Sequence, residues 1–351
     1  MDVDRDRLFA NLTPLLTAHA PSGVESEVES LLRQMLADAN GTLSQDAAGS
    51  LILHIAGRAQ DSPVAVTAHK DEIALIVKRI EDDGRLRVEN TGGLHPWAIG
   101  ETPVEILTPS TSLPGVLSIG SKHVSRQSPA GRLKEGEVLT WDLMWVETKR
   151  EASALCNAGV RVGSRVVIDR RWKQPIWLSD NFIAGYNLDC RAGLAILVEV
   201  ALQLAEAPPA QDTYLVASSE EEIGALGAIW SVGQLPAESV IAIDVVPVAT
   251  EYQTENSSDP VLPDRDRAGI YHVGMIESMR RRAESLRFGV QGAVLTSYAS
   301  DATLSRSSGS AARAALIGYP GDNTHGYEIC HAEAIVNCAR LLGAWLRDPT
   351  G

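Results

Sequence analysis

PVAVTAHKDEIALIVKRI, residues 63–80, is the stretch on which the architecture turns. Its first half is a short β-branched and apolar run, the pattern of a strand buried on both faces, and it ends in His69, Lys70, Asp71 and Glu72. Its second half opens a region of different texture. From about residue 73 to 171, IALIVKRI, RLRVEN, TPVEIL, PGVLSIG and RVVIDR are short β-type runs punctuated by DDG, NTGG and TPSTSLPG, which predicts an inserted β module.

Outward from this junction the texture is α/β. Val24, Val28, Leu31, Leu32, Met35 and Leu36 fall at helical spacing, and LILHIAG (51–57) reads as a buried strand. Beyond the module come RAGLAILVEVALQLAEA (helix), DTYLVASS and SVIAIDVV (strands), MIESMRRRAESLRF (helix), AARAALIGYP (strand) and EAIVNCARLLGAWL (helix). The expected organisation is therefore an α/β domain built from 1–72 and 172–351, interrupted by a β domain at 73–171. Alternating strands and helices imply a largely parallel sheet with helices on both faces, and such sheets gather ligands at the carboxyl ends of their strands.

The chain's 351 residues suffice for roughly two domains, and 44% hydrophobic with 22% charged residues is a globular composition. Thirty-one Lys and Arg against 45 Asp and Glu leave a net charge of −14, which repels phosphate backbones and anionic lipid. No nucleic acid and no membrane are expected as partners. There is no run of about 18 apolar residues, and MDVDRDRLFANL has neither the basic nor the apolar region of a signal peptide, so a cytoplasmic location is expected. Cys156, Cys190, Cys330 and Cys338 lack CxxC spacing and read as reduced thiols.

Metal-ligand residue types recur at the strand ends. His69 and Asp71 follow PVAVTA, Glu220, Glu221 and Glu222 follow YLVASS, Asp244 follows VIAI, and His325 follows ALIGYPGDNT; Asp189 in NLDCRAG immediately precedes a helix. Singly, each has an ordinary reading: a helix N-cap for Asp189, a solvated acidic triplet for 220–222, a structural histidine. Their collective placement is what an open α/β sheet would bring together. In His69-x-Asp71 the carboxylate can fix the tautomer and direction of a ligating imidazole. In the pair Glu221 and Glu222, one carboxylate can hold a metal while the other takes a proton from the attacking water. Gly224 and Gly227 suit a loop turning into a helix.

AHKDEIALIVKRI, NTGG, NLDCRAG, EEIGALGA, IAIDV, SDA (300–302) and NTHGYE, with PSGVESEV near the start, resemble the M42 family of co-catalytic metalloaminopeptidases. This is the glutamyl aminopeptidase and TET peptidase group, sometimes labelled endoglucanase. The resemblance spans nearly the whole chain. It implies a zinc-peptidase-like mixed sheet with helices on both faces and an inserted small β-barrel-like domain that serves dimerisation. Two divalent ions per subunit, Zn, Co or Mn, would be held by His69, Asp189, Glu222, Asp244 and His325. Asp189 would bridge, with His69 and Asp244 completing one site and Glu222 and His325 the other; Asp71 would orient His69 and Glu221 would be the general base. Short peptides would be the substrates, and the subunits would form homo-oligomers, dimers that can build a tetrahedral dodecamer.

The chain differs from the usual pattern of that family in four places: Lys70 replaces an apolar residue, Cys190 a second Asp, Glu220 a Gln, and the motif around His325 reads Asp322-Asn323-Thr324-His325-Gly326 in place of Arg-Tyr-Ile-His-Ser or similar. Lys70 is expected on the far side of the strand, solvent-facing or salt-bridged, and Glu220 is expected to raise the pKa of Glu221 by repulsion or to point outward. Cys190 reads either as a thiol near the metals or as a buried, unreactive side chain. His331 is expected to begin a helix, and His54, His95, His123 and His272 read as structural or exposed. The altered residues motivate two alternative functions, a metal-dependent deacylase of modified amino acids and a catalytically weak assembly protein. A glycosidase would not need the two histidines.

Overall fold

The computed structural model describes residues 3–350. A nine-stranded sheet runs in the order Thr42–Gln45, Leu51–Ile55, Gln211–Ser218, Ala59–His69, Ser239–Pro247, Arg313–Asp322, Glu328–His331, Phe182–Gly185, Ile176–Ser179. Only its centre is parallel: the strands Gln211–Ser218, Ala59–His69, Ser239–Pro247 and Arg313–Asp322 pair side by side in one direction. Every other pairing is antiparallel, so the sheet is mixed rather than largely parallel. Three of these pairings join strands that follow one another through short connections, which need no crossover helix, and the other two, Leu51–Ile55 with Gln211–Ser218 and Phe182–Gly185 with Glu328–His331, join strands remote in sequence. Thr42–Gln45, Ile176–Ser179 and Phe182–Gly185, four residues each, carry too little periodicity to be read from sequence.

The central strands are apolar along their length because both faces are covered. Ser239–Pro247 is buried at every position but the last. Helices Leu188–Glu206 and Ala332–Arg347 pack on one side of the sheet, and Leu226–Gln234 and Asp301–Ser307 pair with each other on the other. Leu188–Glu206 is buried nearly all round, which fits its continuous apolar sequence. Its buried Glu199 is held by Arg7 at 2.9 Å and by the backbone N–H of Asp4, tying down the N-terminal helix Arg5–Thr17. That helix buries Leu8, Leu12, Leu15 and Leu16, a helical spacing already present in the sequence.

After His69 the chain leaves the sheet and forms a closed six-stranded barrel whose strands all lie between Ala74 and Ile168. One of them, Trp145–Glu147, is a three-residue strand that the sequence patterning does not announce. The barrel has its own core, including Leu75, Val77, Val104, Ile106, Val146 and Val166. A buried ionic cluster sits where barrel and sheet meet. Lys173 Nζ donates to both oxygens of Glu72 at 2.8 and 2.6 Å, Asn187 donates to Glu72 at 2.8 Å, and His19 lies 3.2 Å from Glu105 of the barrel. Burial raises the Glu72 carboxyl, but Lys173 and Arg191 outweigh it and hold it below its ordinary value. Among the described residues no helix is long and apolar enough to cross a membrane.

Candidate active site

Parallel strands end on the same side, and that geometry assembles the site. His69 is the last residue of its strand; Glu221 and Glu222 follow the end of the adjacent Gln211–Ser218; Asp244 lies towards the end of Ser239–Pro247 on the other side. Asp189 comes from the first turn of helix Leu188–Glu206, where its non-helical ψ of 109° turns it away from capping the helix. His325 follows the strand Arg313–Asp322. All five expected ligands and both expected catalytic residues converge.

Asp189 stands in the middle. Its Oδ1 is 2.9 Å from His69 Nε2 and its Oδ2 is 3.4 Å from His325 Nε2. On the His69 side, Nε2 lies 3.9 Å from both Asp244 Oδ1 and Glu221 Oε2. On the His325 side, Nε2 lies 3.6 Å from Glu222 Oε2. The adjacent glutamates thus make their imidazole ion pairs in different halves of the cluster, Glu221 with His69 and Glu222 with His325. Donor atoms of Asp189, Glu222 and His325, of His69, Glu221 and Glu222, and of His69, Cys190 and Asp244 all come close enough within each trio to share a cation.

Asp71 is the anchor behind this arrangement. Its Oδ1 is 3.3 Å from His69 Nδ1 and accepts from Glu221 N at 2.9 Å, while its Oδ2 accepts from Ser22 Oγ at 2.7 Å and from Glu222 N at 3.2 Å. One buried carboxylate therefore fixes both an imidazole and the backbone that carries the glutamate pair. The following loop folds back tightly enough that a Cβ at Gly227 would lie 2.3 Å from the Ser219 carbonyl oxygen. The barrel supplies the anchor for the other imidazole: the Gly93 carbonyl accepts from His325 Nδ1 at 3.1 Å, leaving Nε2 towards Asp189 and Glu222.

Burial and mutual repulsion dominate the electrostatics. Glu222 is pushed up to about 7 and Asp244 to about 8, chiefly by burial and then by neighbouring carboxylates, with Asp189 common to both. Asp189 is also buried, but His325 and His69 outweigh that and hold it well below the ordinary range. Burial lowers His325, yet its hydrogen bond to Asp189 and the charge of Glu222 raise it to about 11. Glu221 is raised well above its ordinary value by burial, with Asp301, Glu222 and Asp244 adding to the rise.

The positions set apart in the sequence are placed as follows. Burial, Asp301, Glu222 and Asp244 are the principal influences that raise Glu221, and the Glu220 backbone N–H donates to Glu25 Oε1 at 3.2 Å. Lys70 is salt-bridged but buried rather than solvent-facing, held by Glu25 Oε2 at 2.7 Å and by Glu29. Cys190 is buried and its Sγ donates to the Ile243 carbonyl at 3.1 Å; burial first, then Asp244, raises the thiol well above its ordinary value. His331 caps helix Ala332–Arg347 by accepting from Glu333 N at 3.2 Å.

Five further residues at the site were given no role in the sequence analysis. Glu328 accepts from the backbone N–H of Asp189 at 2.9 Å and of His325 at 3.1 Å, clamping two candidate ligands at once. Tyr298 donates to Asp244 Oδ2 at 2.7 Å, Ser218 donates to Asp301 at 2.6 Å, and Ser22 supports Asp71 as above. Glu328 and Asp301 fall inside the quoted NTHGYE and SDA motifs, but a carboxylate that binds backbone has no spacing signature.

The mixed sheet with a barrel inserted after the His69 strand is a fold that this chain shares with solved peptidases. The TET1 peptidase of Pyrococcus horikoshii, which can assemble into a tetrahedron or a large octahedral shell, superposes with a TM-score of 0.85 at 22% identity, over 97% of this chain and 99% of that one. A putative aminopeptidase of Bacillus subtilis, YhfE, is 26% identical over 345 residues, 95% of this chain and 96% of that protein. A lysyl aminopeptidase of Pyrococcus furiosus is 29% identical over 251 residues, 70% and 67% of the two chains. The M42 glutamyl aminopeptidase family model matches residues 49–341, and the chain belongs to that family.

Proposed function

We propose that this aminopeptidase works with two divalent ions, Zn, Co or Mn, to remove N-terminal residues from short peptides. The carrying observation is the position of Asp189, whose two oxygens lie 2.9 and 3.4 Å from imidazoles on opposite sides. The donor set fits cations: four carboxylates, Asp189, Glu221, Glu222 and Asp244, face two histidines, and among the described residues no Lys or Arg pairs with any of them. Nitrogen and oxygen donors of this kind suit the three metals named.

His69, Asp244 and Asp189 would hold one ion, and Glu222, His325 and Asp189 the other. When bound, the ions lower the pKa of the attacking water and draw charge from the scissile carbonyl. Glu221 accepts the proton of that water and returns it to the leaving amine. Asp71 holds His69 and the glutamate backbone in register for this transfer. The division at 73 and 171 makes the barrel a separate domain, and we assign it to contacts between copies in a homo-oligomer of dimers that can reach a tetrahedral dodecamer. The exposed Trp97, Val138 and Val162 of the barrel support that assignment. Operation in the cytoplasm belongs to the same proposal.

The direct test is to strip the protein with a chelator, restore Zn, Co or Mn, and follow release of N-terminal residues from aminoacyl anilides and short peptides. Turnover should vanish with the metal and return with it. Silence across a broad panel with two ions bound per chain overturns the reading.

Gly93 provides a finer check on the barrel's contribution. A Cβ there would sit 2.5 Å from His325 Nδ1, so Gly93→Ala must rotate the ring. Loss of an oriented partner to a ligating histidine costs roughly 10 to 100-fold in metal affinity. A metal titration should show that loss for one ion only, and unchanged affinities would remove Gly93 from the site.

A further inference from the structure

We infer that Glu25 is a positioning residue for the general base: together with Asp71 it fixes the backbone of the loop that carries Glu221, and Lys70 supplies the cation that keeps Glu25 in place. The inference rests on the aminopeptidase reading, in which Glu221 accepts the proton of the attacking water.

Three consecutive backbone N–H groups, those of Glu220, Glu221 and Glu222, point at two buried carboxylates. Glu220 N donates to Glu25 Oε1 at 3.2 Å, Glu221 N to Asp71 Oδ1 at 2.9 Å and Glu222 N to Asp71 Oδ2 at 3.2 Å. Successive N–H groups in a turn that contains a left-handed residue form a concavity that holds anions. Glu220 is that residue, with a φ of 54°, a conformation that a side chain other than glycine keeps only when its surroundings fix it. Here the anions are side chains of the protein itself, from segments remote from the loop in sequence. Asp71 holds the loop at Glu221 and Glu222; Glu25 fixes the residue before the base, where the chain turns.

Glu25 does not serve its own helix. It stands at the N-cap of Ser26–Met35, where an acidic side chain commonly accepts from the first turn, yet it makes no such bond. Its Oε1 also accepts from Gly23 N at 3.1 Å, and its Oε2 meets Lys70 Nζ at 2.7 Å. Lys70 is 1% exposed, and Glu29 is its second partner. The Lys70 backbone is fixed as well: its N–H donates to the Ser218 carbonyl at 2.9 Å, and its carbonyl accepts from the buried Arg191. Lys70 therefore stands on rigid backbone and holds one end of a relay, from Lys70 to Glu25 to Glu220 N, that ends one residue from the base.

The test uses full-length protein with Zn restored and two readouts: steady-state turnover of an aminoacyl anilide, and hydrogen exchange of the backbone N–H groups of residues 219–223 followed by mass spectrometry. Glu25→Ala should lower kcat roughly tenfold, with KM within about threefold and two ions still bound because Asp71 continues to hold Glu222; exchange in that segment should quicken by about tenfold or more. Glu25→Gln combined with Lys70→Met should recover both to within about threefold, since the amide oxygen accepts from the same N–H groups and its NH2 no longer faces a cation. A side chain that served stability alone would lower the melting temperature and leave kcat and local exchange where they were. Should Glu25→Ala not fold, Glu25→Asp, which keeps a charge for Lys70 but falls a methylene short of Glu220 N, reads the same two quantities in the same direction. Unchanged kcat or unchanged exchange in a folded single variant, a loss of kcat that tracks loss of an ion, or a double variant as impaired as the single one overturns the inference and leaves the aminopeptidase reading standing. Silence of the unmodified enzyme with two ions bound overturns that reading and the inference with it.

Discussion

Asp189→Asn should lower kcat/KM by about 10⁴-fold or more and reduce bound ions from two per chain to one or none, with the fold intact by circular dichroism. The size follows from position. Asp189 places one oxygen beside each imidazole, 2.9 Å from His69 and 3.4 Å from His325. An amide of the same shape keeps one acceptor but presents N–H groups to the other side, where a cation cannot be accepted. It also removes a carboxylate that the two imidazoles hold charged. Under the two-ion mechanism proposed above, losing activation of water and carbonyl together would forfeit several kcal/mol of transition-state stabilisation, and about 5.4 kcal/mol corresponds to 10⁴ in rate. Glu328→Gln tests the support beneath it: the amide can still accept from Asp189 N or from His325 N, but not from both as the carboxylate does. A smaller loss, about 10 to 100-fold in metal affinity, is expected there. Elemental analysis of the purified variants reads both effects. Two ions and full activity in Asp189→Asn would remove the bridging role.

Much of the convergence of these side chains was legible because the candidate ligands are polar residues at the ends of strongly apolar strands. PVAVTAH and SVIAIDVV announce themselves as buried strands, and a parallel arrangement then forces their ends together whatever lies between them in sequence. The barrel was legible for a complementary reason, since short β runs between turn residues contrast with the helices on either side. The parts that were not legible share a cause: they depend on contacts made by backbone groups or between remote segments. Gly93 acts through its carbonyl on a ring 232 positions away. Glu328 acts on two backbone N–H groups, and Lys70 finds Glu25 and Glu29 on a helix that sequence places nowhere near it. The antiparallel edge strands escaped because four residues are too few to establish a period, and their pairing is decided by the strands they meet.

Glu221→Gln should lower kcat by roughly 10³-fold while leaving two ions bound and KM within about threefold, the pattern of a lost proton acceptor rather than a lost ligand. Two roles compete for this residue. Its carboxylate, with His69 and Glu222, forms a trio near enough to share a cation, which would make it a ligand. Yet Asp244 lies at the same 3.9 Å from His69 Nε2, is fixed by Tyr298, and can complete that half without it. Glu221 then remains the carboxylate adjacent to the ions that is free to exchange a proton. Gln is isosteric and preserves the Glu221 N to Asp71 hydrogen bond, so neither the loop nor His69 need shift. Glu222→Gln is the matched control, because its contact with His325 at 3.6 Å places it on the half where no substitute carboxylate stands beyond Asp189. That variant should lose one ion, and its defect should shrink as metal is raised. Glu221→Gln should not respond to metal, and the acidic limb of its pH profile should disappear because the group that must be ionised there is gone. If instead Glu221→Gln is the variant that loses an ion and is rescued by added metal, the assignments of the two glutamates exchange, and proton transfer falls to Glu222.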